Sequence, residues 1–280
     1  MTKKNKKPSH QKSNSTDTTE EIPISTINSN QDITTETPIT HNENSTRDTF
    51  QPNPKWLPRI AKAITSFGHL YNRYEIKGLD QVPKQGATMI VLYHGLVPID
   101  YWYFGLELYL KTGRNPVALV DRWLLKTPGL KWLTKAVGGI EANRNEALRL
   151  LKEGHLIGVA PGGVKEAIKG AKKNYQLVWG TRKGFAELAL AADCPIIPGF
   201  TQNVEGLYKA PGAGSAFFQN LYKKTKLPII PIVGLGPLPF PVKLTTWLGE
   251  PIHPIAGETA EELAGRTKLA IEKLIAEHQI

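Results

Sequence analysis

The sequence predicts an α/β fold, a single layered domain in which helices flank a mixed, mostly parallel sheet. Short apolar runs rich in Val and Ile alternate along the chain with longer stretches whose apolar residues recur at helical spacing. Gly and Pro residues bound most of these runs. Domains of this kind carry their sites at the carboxyl ends of the strands.

The individual elements follow in order from this pattern. Residues 88–93 are an unbroken apolar run that predicts a buried strand, and Pro98 can open the next helix because a first-turn residue needs no N–H donor. Further strands are predicted at 117–120, 156–160, 195–200 and 241–247, and further helices at 122–137, 144–153, 183–192 and 260–277. The apolar side of the last helix is expected to comprise Leu263, Leu269, Leu274 and Ile275.

The first fifty residues differ in composition from the rest of the chain. They hold eleven Thr, six Ser and six Asn, and Phe50 is their only aromatic residue. Because so few apolar residues cannot offset chain entropy, we expect residues 1–50 to be a disordered polar tail. The basic start of this tail lacks the apolar core of a secretory signal. Residues 51–280 suit one domain with a sizeable core.

The chain is basic, with a formal net charge of +10. Such a charge suits an anionic membrane or a nucleic acid. No zinc-finger, RNP-type or helix-turn-helix pattern accompanies it, so a nucleic-acid partner is not expected. Cys194, the only cysteine, cannot form an internal disulfide and is expected to be a small core residue. No group of His and Cys residues has metal-ligand spacing.

His94 and Asp100 are the first candidates for chemistry. His94 follows the predicted strand, Gly95 lets the backbone turn, and Asp100 falls in the first turn of the next helix. An imidazole whose pKa lies near ~6.5, oriented by a carboxylate, suits general-base removal of an alcohol proton. The alternative is a buried histidine that only completes a hydrogen bond at a strand end.

The second candidate segment is Pro161-Gly-Gly-Val-Lys-Glu166, which follows the predicted strand 156–160. Adjacent glycines after a strand let backbone N–H groups approach an anion or an oxyanion. Lys165 is a candidate for binding phosphate, and Glu166 is a second carboxylate near the same edge. The spacing of a nucleotide P-loop is absent, and a purely structural turn is the alternative.

Together these segments resemble the glycerolipid acyltransferase superfamily over roughly Tyr74 to the C-terminus. The corresponding blocks are His94–Asp100, Gly138–Arg144, Ala160–Lys165 and Cys194–Pro198. The patterns His-Gly-x-x-Pro-x-Asp and Pro-Gly-Gly-x-x-Glu-Ala are similar to those of acyltransferases of the transmembrane protein 68 type and related diacylglycerol acyltransferases. Residues 178–185 and 240–244 match further. The resemblance implies a glycerol-3-phosphate acyltransferase-like fold and O-acyltransferase activity.

Two departures from the wider family bear on the substrate. Five residues separate His94 from Asp100, where the family has four. Gly162 and Val164 stand where the family has the Glu and Thr that help recognise glycerol phosphate. The resemblance therefore implies a neutral acceptor such as diacylglycerol, monoacylglycerol or a long-chain alcohol, although Lys165 keeps the positive charge of the family's arginine.

The resemblance also implies roles for individual residues. The acyl donor is expected to be acyl-CoA or acyl carrier protein, used as a co-substrate, with no cofactor or metal. His94 is the expected base and Asp100 its orienting partner. The expected substrate-binding residues are Gly162 and Gly163 as backbone donors, Arg144 and Lys165 for phosphates, and Glu166. A phospholipid-pathway acyltransferase and a non-catalytic lipid-binding protein are alternatives, whereas a serine esterase is disfavoured because no Gly-x-Ser-x-Gly segment occurs.

Residues 56–74 are the candidate membrane contact. Apolar and aromatic residues recur there at helical spacing with basic neighbours, which is typical of an interfacial helix and equally of a helix packed on the core. The uncharged stretch 227–242 contains five prolines and cannot form a regular spanning helix. We therefore expect peripheral attachment at the cytoplasmic face of a membrane.

Overall fold

The computed structural model describes residues 55–93, 95–126, 131, 134–135, 138–163, 166, 175–212, 215, 217, 220 and 231–279. The chain divides into two units, residues 1–46 and 47–280, and every described residue belongs to the second. The predicted disordered tail, residues 1–50, lies outside the described residues and stays a prediction.

Seven strands of the described residues form one sheet. They are β1 (Glu75–Lys77), β2 (Thr88–Leu92), β3 (Val117–Val120), β4 (Gly139–Glu141), β5 (Leu156–Val159), β6 (Ile196–Gln202) and β7 (Thr245–Leu248). Their order across the sheet is β1-β7-β6-β2-β5-β3-β4. Every neighbouring pair is parallel except β6 with β7. The predicted mixed, mostly parallel sheet is confirmed.

The described helices are α1 (Leu57–Tyr71), α2 (Ile99–Thr112), α3 (Arg122–Lys126), α4 (Arg144–Lys152), α5 (Gly184–Ala192) and α6 (Ala260–His278). Side-chain caps fix where two of them begin. Asn143 accepts the amides of Asn145 and Glu146 at the start of α4, and Thr259 forms a capping box with Glu262 at the start of α6. All five residues of β2 are buried, as expected for a central parallel strand covered on both faces.

The helix α1 packs on the domain with one side only. Its buried residues are Leu57, Ala61, Thr65 and Gly68. Gly68 allows a close approach to α2, because a Cβ there would lie 3.0 Å from the ring of Tyr103. Phe67 and Leu70 remain exposed on another side. Among the described residues, no helix combines the length and apolar composition needed to cross a bilayer.

Several predictions of detail need correction. Leu269 is exposed, and Thr267 and Ile271 are buried on α6 in its place, because a turn of about 100° per residue carries Leu269 away from the side that holds Leu263. The strand predicted at 241–247 begins at Thr245 instead of residue 241, since the amide of Leu244 donates to the carbonyl of Asn72.

Other elements were predicted in part or not at all. The helix 122–137 is described only at 122–126, 131 and 134–135. The three-residue strands β1 and β4 were not predicted, because three residues are too few to show a period. Cys194 is fully buried, which confirms its expected place in the core.

Candidate active site

Three central strands end at the same edge of the sheet. β2 pairs in parallel with both β5 and β6, and Val91 lies opposite Val159. The segments that follow β2 and β5 therefore leave the sheet side by side. His94 is the second residue beyond β2 and lies outside the described residues. Its chain neighbours Tyr93 and Gly95 are described and buried.

Asp100 lies in the first turn of α2 and is 1 % exposed. Burial raises the pKa of its carboxyl to about 7, although hydrogen bonds from the Thr201 side chain and from the amides of Asp100 and Tyr101 lower it. Its Oδ1 has no hydrogen-bond partner within the described part of the chain. A buried carboxyl with an open oxygen is suited to accept a hydrogen bond from an imidazole N–H.

A row of buried hydroxyl groups extends from Asp100 across two strands. The Thr201 side chain on β6 lowers the pKa of Asp100, and its Oγ1 lies 3.0 Å from Oγ1 of Thr246 on β7. The Tyr74 hydroxyl lies 2.9 Å from the same Thr246 oxygen. Because all four side chains are buried, this row restricts the direction in which Thr201 can donate.

Close contacts fix the backbone on both sides of position 94. A Cβ at Gly95 would lie 2.6 Å from Cγ2 of Val204. Val204, in the turn after β6, therefore requires a glycine at position 95. The hydroxyl of Tyr101, the residue after Asp100, donates to the carbonyl of Tyr93 at 3.0 Å. The end of β2 is thus joined directly to the start of α2.

A second carboxyl, that of the half-buried Glu205, stands beside Tyr93. The Tyr93 hydroxyl donates to Oε1 of Glu205 at 2.5 Å, and the same oxygen accepts the amide of Tyr175 at 3.2 Å. The two tyrosine rings lie 5.4 Å apart between centroids. Burial raises the pKa of Glu205, and the hydrogen bond from Tyr93 lowers it. This cluster holds the side chain that precedes His94 in one orientation.

The turn after β5 is shaped by Glu166. The Glu166 amide donates to the carbonyl of Gly162 at 3.3 Å, and Oε1 of its fully buried side chain accepts the amide of Val178 at 2.7 Å. A Cβ at Gly162 would lie 2.2 Å from Cδ of Glu166. Position 162 is therefore a glycine because the Glu166 side chain occupies the space beside it.

Arg182 holds the same turn from outside. Its Nη1 donates to the carbonyls of Pro161 and Gly162, at 2.7 and 2.5 Å. The Gly163 amide donates to the carbonyl of Ala160 at 3.1 Å, and the expected role of Gly163 as a donor to substrate stays a prediction. In the described residues, the Gly162 amide donates no backbone hydrogen bond, and it stays the candidate donor.

The two basic residues expected to bind phosphate have different outcomes. Arg144 begins α4, and its 61 % exposed side chain forms an ion pair with Glu187 of α5. A phosphate would have to compete with that carboxylate. Lys165 lies outside the described residues. The structure thus brings Asp100, Gly162, Gly163 and Glu166 to one edge of the sheet.

Three residues of this edge were missed by sequence reasoning. Arg182 lies in the segment 178–185, whose match to the family was the available signal. Thr201 and Glu205 are single polar residues without motif spacing. Only the pairing of β6 with its neighbours brings them to the site.

Known proteins resemble this chain over the same region. The Acyltransferase family model matches residues 73–201. A Bos taurus protein named "DGAT1/2-independent enzyme synthesizing storage lipids" is 40% identical over 214 residues, covering 76% of this chain and 62% of its own length. The Homo sapiens protein of the same name is 39% identical over 214 residues, covering 76% and 64%. The chain thus spans less than two thirds of either relative.

The fold has a match among solved structures. The crystal structure of the 1-acyl-sn-glycerophosphate (LPA) acyltransferase PlsC from Thermotoga maritima superposes with a TM-score of 0.53. The superposition covers 79% of this chain and 81% of the PlsC chain at 17% sequence identity. At this identity the likeness concerns the fold. The match of residues 73–201, the two relatives and the shared fold agree with the motifs read from the sequence. Residues 73–201 therefore form a domain of the Acyltransferase family.

Proposed function

We propose that this protein transfers a fatty acyl group from an acyl thioester to the hydroxyl of a neutral lipid, with His94 as the general base. The observation that carries the proposal is the buried carboxyl of Asp100, which has an open oxygen and lies in the first turn of the helix that follows β2. A carboxyl buried without a full set of partners is costly unless a nearby group uses it. The sequence supplies His94 two residues beyond the end of β2, and its imidazole N–H is our candidate for that group.

The proposed reaction moves one proton and exchanges one bond. The imidazole of His94 takes the hydroxyl proton while the hydroxyl oxygen attacks the thioester carbonyl. The Gly162 amide stabilises the oxyanion that forms, a contribution on the order of 3 kcal/mol for a preorganised donor. The carbon–sulfur bond then breaks, and the departing thiolate takes the proton from the imidazolium. Asp100 in its ionised form orients the imidazole throughout.

The turn after β5, residues 161–163 and named the glycine turn, supports a neutral acceptor. Gly162 and Val164 stand where the family's phosphate-handling members carry Glu and Thr, and the buried Glu166 side chain fills the space beside Gly162. The side chains that help those members recognise glycerol phosphate are therefore missing from the sequence of this turn. The names of the bovine and human relatives, which refer to storage lipids, agree with this choice.

Transfer to a phosphorylated acceptor is the second candidate. Lys165 keeps a positive charge at the end of the family block Ala160–Lys165, and Arg144 ends the block Gly138–Arg144. A non-catalytic lipid-binding protein on the same fold is the candidate of another class. The open oxygen of Asp100 favours catalysis over this third possibility.

The test is an acceptor panel. The purified chain is incubated with labelled acyl-CoA or acyl carrier protein and with diacylglycerol, monoacylglycerol, a long-chain alcohol, lysophosphatidic acid or glycerol 3-phosphate. We expect labelled esters of the neutral alcohols to form fastest. Faster acylation of a phosphorylated acceptor would assign the chain to phospholipid synthesis. Lipid binding without any product would identify a non-catalytic protein.

A further inference from the structure

Seven of the eleven large apolar side chains that are exposed in the described residues lie on two elements. The first is α1, where Trp56, Phe67 and Leu70 form an apolar stripe, with Leu70 85 % exposed. The second is an apolar hairpin, residues 231–240, in which Ile232, Val233, Leu235 and Leu238 are exposed. Exposed apolar groups that cluster in this way mark a surface that contacts another phase or partner.

The hairpin has a defined structure. The amide of Leu235 donates to the carbonyl of Leu238 at 2.8 Å, and the amide of Leu238 donates back at 3.2 Å. Gly236 supplies the positive φ of 62° that the tight turn needs. The amide of Val233 donates to the carbonyl of Lys209 at 2.8 Å, which holds the hairpin against the segment after β6. Its apolar side chains are therefore displayed by a fixed backbone.

Hydrogen bonds join the hairpin to the end of α1. The hydroxyl of Tyr71 donates to the carbonyl of Pro239 at 2.8 Å, and Nδ2 of Asn72 donates to the carbonyl of Phe240 at 3.3 Å. The ring of Phe67 stacks on that of Tyr71 at 5.0 Å. The apolar stripe of α1 and the apolar hairpin are thus parts of one surface, although about 160 residues separate them in sequence.

The topology places this surface at the edge of the candidate active site. β7 runs antiparallel to β6, with Thr245 opposite Gln202, and β1 runs parallel to β7. The amino ends of β1 and β7 therefore lie at the edge where β6 ends. α1 leads into β1, and the hairpin leads into β7. The surface and the glycine turn consequently belong to the same edge of the sheet.

Charge identifies the occupant. α1 contains no acidic residue, and Lys55, Arg59 and Lys62 on or beside it are exposed. Lys209 lies with its Nζ 5.6 Å from the ring centroid of Phe240, next to the hairpin. We propose that the α1 stripe and the apolar hairpin together dock on an anionic lipid bilayer, with the basic residues at the headgroups. This inference rests on the proposed function, because a lipid acceptor resides in a bilayer.

The experiment measures binding of the purified full chain to vesicles of phosphatidylcholine with or without phosphatidylserine. The variants are Phe67→Ser with Leu70→Ser in α1, and Leu235→Ser with Leu238→Ser in the hairpin. The matched control is Leu269→Ser with Ile255→Ser, which changes exposed apolar residues on other elements. Arg59→Glu with Lys62→Glu probes charge at exposed positions. Circular dichroism confirms that each variant is folded.

We expect each apolar pair to weaken binding about tenfold or more and the control pair to leave it unchanged. Each basic residue contributes about fivefold at an anionic surface, so the charge variant should lose the preference for phosphatidylserine. A folded hairpin variant that binds like the wild type would overturn the joint surface. Self-association of the wild type that the apolar variants abolish would assign the surface to a second copy.

Turnover measured in parallel on an acceptor dispersed in detergent separates this inference from the proposed function. Turnover without vesicle binding would reject the docking surface and keep the reaction. Vesicle binding without turnover on any acceptor would reject the reaction and keep the docking surface.

Discussion

The two strand ends that form the candidate site are held in different ways. After β2, hydroxyl groups act on the chain. The Tyr101 hydroxyl donates to the Tyr93 carbonyl, and the Thr201 side chain lowers the pKa of the Asp100 carboxyl. After β5, a guanidinium group and close packing hold the turn. Arg182 donates to two carbonyls of the turn, and the Glu166 side chain fills the space beside Gly162. The first end is therefore sensitive to protonation, and the second to added volume.

The largest effect is expected at the β2 end. His94→Ala should reduce turnover by roughly 10²–10⁴-fold, the usual contribution of a general base, with little change in thermal stability. Asp100→Asn should cost less, because it removes the orienting charge and leaves the base. Initial rates under saturating acyl donor measure both.

Full activity of His94→Ala would end the mechanism proposed above. Full activity of Asp100→Asn would transfer the orienting role to another carboxylate, and Glu166 is the first to test.

The β5 end should respond to a single methyl group. Gly162→Ala places a Cβ 2.2 Å from Cδ of Glu166, so the buried carboxyl must move. We expect a loss of about 1–3 kcal/mol in the free energy of unfolding, the usual cost of overpacking, and a loss of turnover. Chemical denaturation measures the first and initial rates the second.

Gly158→Ala is the matched control, because a Cβ at that glycine on β5 meets no atom within 4 Å. Equal stability of the two variants would show that the turn yields easily, and the contrast between the strand ends would be lost.

The smallest effect is expected at Thr201 and appears in the pH dependence. Asp100 must be ionised to orient the imidazole, so activity should fall as the pH decreases through the pKa of about 7. The Thr201 hydrogen bond lowers that pKa. Thr201→Val should therefore move the acid limb to higher pH and cost about fivefold in turnover at neutral pH, the value of one hydrogen bond.

Thr201→Ser should restore the profile because it restores the hydroxyl. Thr245→Val is a matched control, since neighbouring residues of β7 face opposite sides of the sheet. The hydroxyl that bonds to Thr201 belongs to Thr246 and not to Thr245. An unchanged acid limb in Thr201→Val would show that this hydroxyl does not tune Asp100.

The parts of the molecule with local signals could be predicted from the sequence. β2, β3, β5 and β6 are apolar runs, and their carboxyl ends were expected to carry the site. The glycine turn was placed because it directly follows such a run, and Asp100 was placed because Pro98 marks the start of the next helix. The contacts of Thr201 and Glu205 could not be predicted, because strand order and register across the whole sheet decide them. The joining of α1 to the hairpin depends in the same way on the reversed direction of β7.

Among the described strands, only β6 and β7 pair in an antiparallel manner, and this pairing has a kinetic consequence. It brings α1 and the hairpin to the edge where β2 and β5 end. An enzyme docked on a bilayer through that edge meets its acceptor by diffusion in two dimensions. Its rate then follows the mole fraction of acceptor within the lipid surface. Adding inert lipid to the vesicles slows such an enzyme, whereas adding buffer to the suspension leaves the rate of the bound enzyme unchanged.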